Sequence, residues 1–314
     1  VEMVQHALDQ GITYFDTGDV YGHGRSEEIV GQALAEHRDE ITLATKIGYD
    51  FYNNPQAGHG ELPKRLEPEW IRTAVDRSLD RLGVDHVEFL QLHNANVDEM
   101  TPDVLETLEE LQEEGVVDAL GWALGPSIGW LAEGDRAVEL EFDAVQTVFN
   151  VFEQTPGRHF IDTIREREAD TSVIARVPHS SGLLNEQVTP DTELGEGDHR
   201  AHRPQEWYET GWEKVEAIRF LERDGERTMG QAAIQWLLAH DEVASVTPTF
   251  RTAEDIDEWA AAVETPALSD NEYDRVQELY ERNFDVDRDD GMDSLRSSVG
   301  GDDLQGLDKQ PADD

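Results

Sequence analysis

The chain contains no cysteine, which removes disulfides, thiolate metal sites and a cysteine nucleophile from consideration. Lysine is nearly as scarce: Lys46, Lys64, Lys214 and Lys309 are the full set, and the remaining positive charge is arginine. Against 25 basic residues stand 70 acidic ones, for a formal net charge of −45 over 314 residues. With no basic patch to neutralise phosphates, nucleic acid is not an expected partner. Scattered acidity of this kind resembles the surfaces of proteins from salt-accumulating, halophilic microbes; self-repulsion opposes the compact state in water and salt screens it. No apolar run reaches the ~18–20 residues that a membrane span needs, and no signal peptide opens the chain. A cytoplasmic protein with no membrane partner is therefore expected. Asp198, His199 and His202 lie in an irregular polar segment without a further ligand pattern, so a solvated acidic loop is expected there and no metal.

What is present is a long alternation of short apolar runs and amphipathic helical patterns. Helical periodicity covers residues 1–10, 26–36, 67–82, 101–114, 128–139, 157–168, 207–223, 228–240, 252–262 and 270–283. Strand character covers 12–16, 41–45, 87–92, 116–122, 142–149, 172–177 and 243–247. Such alternation predicts a parallel sheet with helices outside it. Two architectures meet that description, an open doubly wound sheet and a (β/α)8 TIM barrel. No GxGxxG turn follows any strand, and the polar residues of interest come from consecutive strands, which favours the barrel. Only seven strands are found, and the chain starts at Val1 within a helical pattern, so the first strand of the barrel is expected to be missing. One barrel domain is expected over 1–283, then a polar extension over 284–314 with 300–314 disordered.

Three apolar runs in succession end on polar chemistry. The first, in ITYFDTGDVYG, stops at Asp16 and is followed five residues later by Tyr21; the second ends at Lys46 and the third at His93. Each has an ordinary structural reading: a strand ends in a charged residue when it reaches solvent, and Asp16 with Lys46 can be an ion pair of no catalytic consequence. Their shared position on neighbouring parallel strands, roughly 4.8 Å apart, argues for one common mouth. A phenol is a poor proton donor near neutrality, and an ammonium beside it favours the phenolate and eases donation. A carboxylate can hold that ammonium, and an imidazole can orient a carbonyl oxygen or relay a proton. Such a group polarises and protonates a C=O but contains no good nucleophile. The missing component is whatever attacks the carbonyl carbon, and a bound hydride donor fits.

The sequence resembles the aldo-keto reductases. The family's Asp-Thr-x-x-x-Tyr-Gly motif matches Asp16, Thr17, Tyr21 and Gly22, its strand-end Lys matches Lys46 and its strand-end His matches His93. The resemblance runs from Val1 to about Asn283 and implies an eightfold barrel, NADP(H) extended across its mouth, a small carbonyl or alcohol substrate and tyrosine as general acid. It also implies cofactor contacts: Gln146 at the nicotinamide carboxamide, Arg176, Ser181, Gly182 and Leu183 in the loop cradling the pyrophosphate, and Arg251 with Thr252 at the adenosine 2′-phosphate. In a chain so short of cations, Arg251 favours NADPH over NADH. Tyr49 and Phe51, in the loop after Lys46, and Trp122 are candidate substrate contacts. The chain departs from the family at Gly121-Trp122-Ala123-Leu124, where two cofactor-binding polar groups are lost, at Val117-Asp118, at Glu88, and at Trp259 in place of an adenine-binding Asn. The competing reading is an NADP(H)-binding sensor or regulatory subunit on the same barrel, with little or no turnover.

Overall fold

The computed structural model describes residues 1–54, 62–125, 130–193 and 205–286. The start of the helix expected at 128, the loop bearing Asp198, His199 and His202, and the extension from 287 onward with its expected disordered tail lie outside the described residues. The strands are β1 (Tyr14–Asp16), β2 (Thr42–Ile47), β3 (Val87–His93), β4 (Val117–Ala123), β5 (Ala144–Val148), β6 (Ser172–Arg176) and β7 (Val243–Thr247). The helices are α1 (Glu2–Asp9), α2 (Arg25–Leu34), α3 (Pro68–Leu82), α4 (Pro102–Glu113), α5 (Leu131–Glu139), α6 (Thr155–Arg167), α7 (Gln205–Ala217), α8 (Met229–Leu238), α9 (Ala253–Ala260) and α10 (Asp270–Glu281). The sheet order is β1-β2-β3-β4-β5-β6-β7. An open doubly wound sheet reverses its strand order at a switch point; the order here never reverses. The fold class is therefore the (β/α)8 TIM barrel, with seven strands among the described residues. None of the described helices is long and apolar enough to cross a membrane.

The chain divides into two compact units. Among the described residues the first comprises Val1–Gln146 with Asp162–Ser172, and the second comprises Thr147–Ile161 with 173–286. In the first unit β2 and β3 pair in parallel with Ala44 opposite Phe89 and Lys46 opposite Gln91. Both faces of this pair are covered, since Leu43, Ala44, Leu90 and Leu92 are all almost completely buried. Helix α3 begins with Pro68 at its first turn and ends at Gly83, where proline and glycine are each best tolerated. Helices α2 and α3 approach so closely that a Cβ on Gly31 would stand 2.2 Å from the Leu82 carbonyl oxygen. At their contact a buried Glu27 accepts Thr45 Oγ1 at 2.5 Å and Arg81 Nε at 2.6 Å, and Arg81 also donates to Tyr52 Oη at 2.6 Å. Asp19 is buried beside this network. Burial first, and then the charge of Glu27, push its carboxyl well above the usual carboxylate range, while Arg81 pulls the other way.

In the second unit Phe149 and Trp236 pack edge to face, with His240 against both. Phe284, placed by its sequence in the polar extension, is instead buried against Phe152 with ring centroids 5.1 Å apart. Helix α10 is capped by Ser269 and Glu272 in reciprocal hydrogen bonds. The same Glu272 accepts Arg227 Nη2 at 2.5 Å and Arg223 Nη2 at 3.1 Å. Burial alone would raise the Glu272 carboxyl, but the Ser269 hydrogen bonds and the Arg227 guanidinium outweigh it and hold it at about 2.

The sequence and the structure differ at two boundaries that matter. The first strand is shorter than its apolar run, since Ile12 donates to the Ala7 carbonyl at 3.0 Å and so belongs to the exit from α1. Lys46 lies within β2 and not beyond it, because the ladder to β3 continues through Ile47 opposite Leu92.

Two predictions follow from these buried charges. Glu272→Gln keeps the helix cap but leaves Arg227, whose side chain is wholly buried, without its carboxylate; denaturant unfolding at pH 7 should show a loss of about 3 kcal/mol. Because the folded carboxyl is depressed, that loss is full above the ordinary glutamate range and shrinks as pH falls towards about 2. Asp19→Asn should act oppositely, since a raised folded carboxyl is a cost above its unfolded pKa. Calorimetry should show a melting temperature about 2–4 °C higher at pH 7, with the gain disappearing in acid.

Candidate active site

Asp16 is the last residue of β1, and the segment after it continues to follow β2. Thr17 N–H donates to the Ala44 carbonyl at 2.9 Å and Asp19 N–H to the Lys46 carbonyl at 3.0 Å. The turn then closes through Tyr21 N–H on the Gly18 carbonyl at 3.1 Å. Gly18 lets the ring lie close: a Cβ there would stand 3.2 Å from Tyr21 Cε2, tighter than ordinary contact, and 3.4 Å from Lys46 Cβ. The Tyr21 ring is thus laid over the backbone that leads out of β1 and beside Lys46. Thr17 fixes the turn to the start of α2, its Oγ1 lying 2.8 Å from Ser26 Oγ.

Lys46, only 1% exposed, donates to Asp16 Oδ2 at 2.5 Å and to the Thr17 carbonyl at 2.8 Å. Its Nζ stands 5.3 Å from the Tyr21 ring centroid. Asp16 is held from two further sides, by Gln91 Nε2 on Oδ1 at 2.7 Å and by Gln146 Nε2 on Oδ2 at 3.1 Å. His93 closes the group, its ring edge-on to Tyr21 at 5.6 Å and to Tyr49 at 5.1 Å. Tyr21 is 36% exposed, whereas Lys46 and His93 are buried. The phenol is the member that meets solvent, and the others support it from within. Asp16, Tyr21, Lys46 and His93, expected from four separated positions, therefore share one cluster.

The remaining expected residues fall differently. Gln146, read as a carboxamide contact, is buried and bonded to Asp16. Tyr49, 5% exposed, accepts a hydrogen bond from Asn94 Nδ2 at 2.7 Å, and Phe51 is packed with Val20, Tyr49 and Leu62 and stacked on Tyr52. Trp122 is fully buried, its indole N–H on the Ala95 carbonyl at 3.0 Å. These three side chains are packed into the structure and do not present an open face. Glu88 is a tie between strands, accepting Arg38 Nη2 and the Leu43 N–H, each at 2.8 Å. It also brings its ligand atom near those of His86 and Asp118, but the Arg38 guanidinium already balances its charge.

In the second unit Arg176 ends β6, and the chain beyond it turns through left-handed backbone at Val177, Ser180, Ser181 and Gly182. Leu183 is buried, as is Ser180, whose Oγ has no hydrogen-bond partner among the described residues. His179 lies tilted against Trp259 with centroids 4.1 Å apart, and burial pushes its imidazole down to about 4. Arg251 and Thr252 precede α9 and are exposed. Thr252 caps that helix in a box with Asp255. Sequence reasoning missed Gln91, Asp255 and the Glu27–Arg81 pair. Of these only Asp255 carried a local signal, the Thr-x-x-acid spacing of a capping box; the others depend on which strands and helices are neighbours.

Comparisons with known proteins bear on the family and the fold. The chain is 29% identical over 256 residues to the aldo-keto reductase yakc of Schizosaccharomyces pombe, whose name carries NADP(+), covering 79% of this chain and 73% of that one. It is 27% identical over 303 residues to the NADH-specific methylglyoxal reductase of Escherichia coli, covering 90% and 87%. Among solved structures, the glycerol dehydrogenase AKR11B4 from Gluconobacter oxydans superposes with a TM-score of 0.74 at 26% identity, covering 91% of this chain and 87% of that one. The profile of the aldo/keto reductase family itself extends over residues 1–281, taking in every strand and the whole cluster around Lys46. The chain thus belongs to the aldo/keto reductase family of oxidoreductases.

Proposed function

We propose that this chain is an NADP(H)-dependent oxidoreductase that interconverts aldehydes or ketones and alcohols, with Tyr21 as general acid in reduction and general base in oxidation. The observation that carries the reading is the position of Lys46, bonded to Asp16 and to the Thr17 carbonyl with its charge 5.3 Å from the Tyr21 ring.

The chain's own groups account for the proton but not for the two electrons. NADP(H), when bound, supplies or takes up the hydride. Tyr21 gives its phenolic proton to the substrate oxygen during reduction, and Lys46 stabilises the negative charge that develops on the phenolic oxygen. Asp16 takes no proton in this scheme. Its oxygens are engaged by Lys46, Gln91 and Gln146, which fixes the ammonium where the phenol needs it. His93, edge-on to Tyr21, orients the carbonyl oxygen towards the phenol. The residues of the second unit fit a phosphate-bearing cofactor: left-handed backbone at Ser180, Ser181 and Gly182, a buried Ser180 hydroxyl in need of a partner, and the exposed Arg251 for a 2′-phosphate.

Tyr21→Phe removes only the transferable proton. With NADPH and a panel of small aldehydes in molar KCl, absorbance at the reduced nicotinamide band should show turnover reduced by about 10²–10⁴-fold. NADPH affinity, read by fluorescence titration, should stay within about twofold of the unmodified chain, since the change leaves the charges in place. Turnover surviving in the variant would take Tyr21 out of its role. Binding of NADPH without its consumption by the unmodified chain, across the whole panel, would favour the sensor or regulatory subunit.

A further inference from the structure

The start of α9, where the 2′-phosphate of the cofactor is expected, already holds an anion that belongs to the chain. Asp255 Oδ2 accepts the backbone N–H groups of Arg251 at 2.7 Å and Thr252 at 3.0 Å. Its Oδ1 accepts Gln187 Nε2 at 3.0 Å. The Thr252 hydroxyl is committed to the same box, accepting the Asp255 N–H at 3.2 Å. A helix start attracts phosphate because its first N–H groups lack partners and carry partial positive charge. Here two N–H groups at that start, those of Arg251 and Thr252, are taken by a carboxylate, and the Gln187 bond holds the carboxylate in place.

The surrounding charge points the same way. Helix α9 reads AEDIDEWA, with Glu254 and Asp255 in its first turn, and Arg251 is the sole basic residue from Phe250 to Ala260. A phosphate monoester carries nearly two negative charges near neutrality. To reach the Arg251 guanidinium it must approach a segment whose own backbone is bonded to Asp255. A ribose 2′-hydroxyl meets no such cost, because it is neutral and can donate to a carboxylate. In Rossmann-fold sites an acidic residue suits the ribose hydroxyl and an arginine suits the phosphate; by the same chemistry this chain has one of each, four positions apart.

We propose that Asp255 is a specificity-determining residue that lowers affinity for the phosphorylated cofactor, so that the chain accepts NADH about as well as NADPH. The proposal rests on the oxidoreductase reading above and refines its cofactor. Arg251 makes NADPH acceptable and Asp255 removes its advantage.

The test is equilibrium fluorescence titration of the full chain with NADPH and with NADH at one fixed salt concentration, for the unmodified protein, Asp255→Asn and Glu254→Gln. Asparagine keeps an oxygen acceptor for the two N–H groups, so the helix stays capped while the charge is lost. The two cofactors should bind the unmodified chain within about threefold of each other. Asp255→Asn should tighten NADPH by about tenfold and leave NADH unchanged, whereas Glu254→Gln, which removes a neighbouring charge without touching the cap, should shift NADPH by less than about threefold. A preference for NADPH of about a hundredfold or more in the unmodified chain, or an Asp255→Asn variant with unaltered NADPH affinity, overturns the proposal. Failure of the folded, unmodified chain to bind either cofactor is a different result: it removes the oxidoreductase reading itself, and this refinement with it.

Discussion

The ammonium of Lys46 is buried next to a carboxylate in a chain that has almost no other lysine. Moving an isolated ammonium out of water is prohibitive, and the cost is met only where a partner and further hydrogen bonds are ready to receive it. Asp16 and the Thr17 carbonyl receive it here, and Asp16 is in turn fixed by amides from β3 and β5. The arrangement explains why the acid, the amides and the glycine beneath the tyrosine ring occur together. Gln91 and Gln146 donate to Asp16 without adding charge, so the pair stays balanced and the phenol feels one cation. Had either been a second lysine or a carboxylate, the charge beside Tyr21 would be changed.

Elsewhere the scarce cations act as bridges between acids. Arg72 joins Glu110 to Glu114 across α3 and α4, Arg219 gathers Glu186, Glu216 and Glu222, and the buried Arg227 anchors Glu272. Exposed pairs of this sort are worth little one at a time. In a chain with a formal charge of −45, however, each arginine set among two or three acids also removes repulsion those acids would exert on one another. The buried pairs Arg81–Glu27 and Arg227–Glu272 do more, since each fixes a helix against its neighbours through a bond that has no substitute from solvent.

The same economy reaches the site where cofactors are told apart. A helix that begins with Thr252 and continues into acid is well capped, and that capping takes up the N–H groups of Arg251, Thr252 and Asp255, which an incoming anion could otherwise use. Stability of the helix and strength of phosphate binding therefore draw on the same few N–H groups. Arg251 lies outside that competition only by its guanidinium, because its backbone N–H is part of it.

The sequence alone determined the parallel βα order, the family and the residues of the cluster, because each depends on local pattern: apolar alternation, turn-forming glycines and a motif whose members lie within a few residues of a strand end. It also fixed the balance of charge, which needs no coordinates. Only the tertiary structure decided which groups hold those residues. Gln91 reads as an ordinary polar strand residue, and Gln146 as a carboxamide contact, until the folded barrel brings both amides onto Asp16. Tyr49, Phe51 and Trp122 read as candidate substrate contacts, and only the packing shows that all three are buried. Phe284 read as part of a polar tail until Phe152 is found against it. Burial and partnership are properties of neighbours brought together from distant parts of the chain, and no local window of sequence contains them.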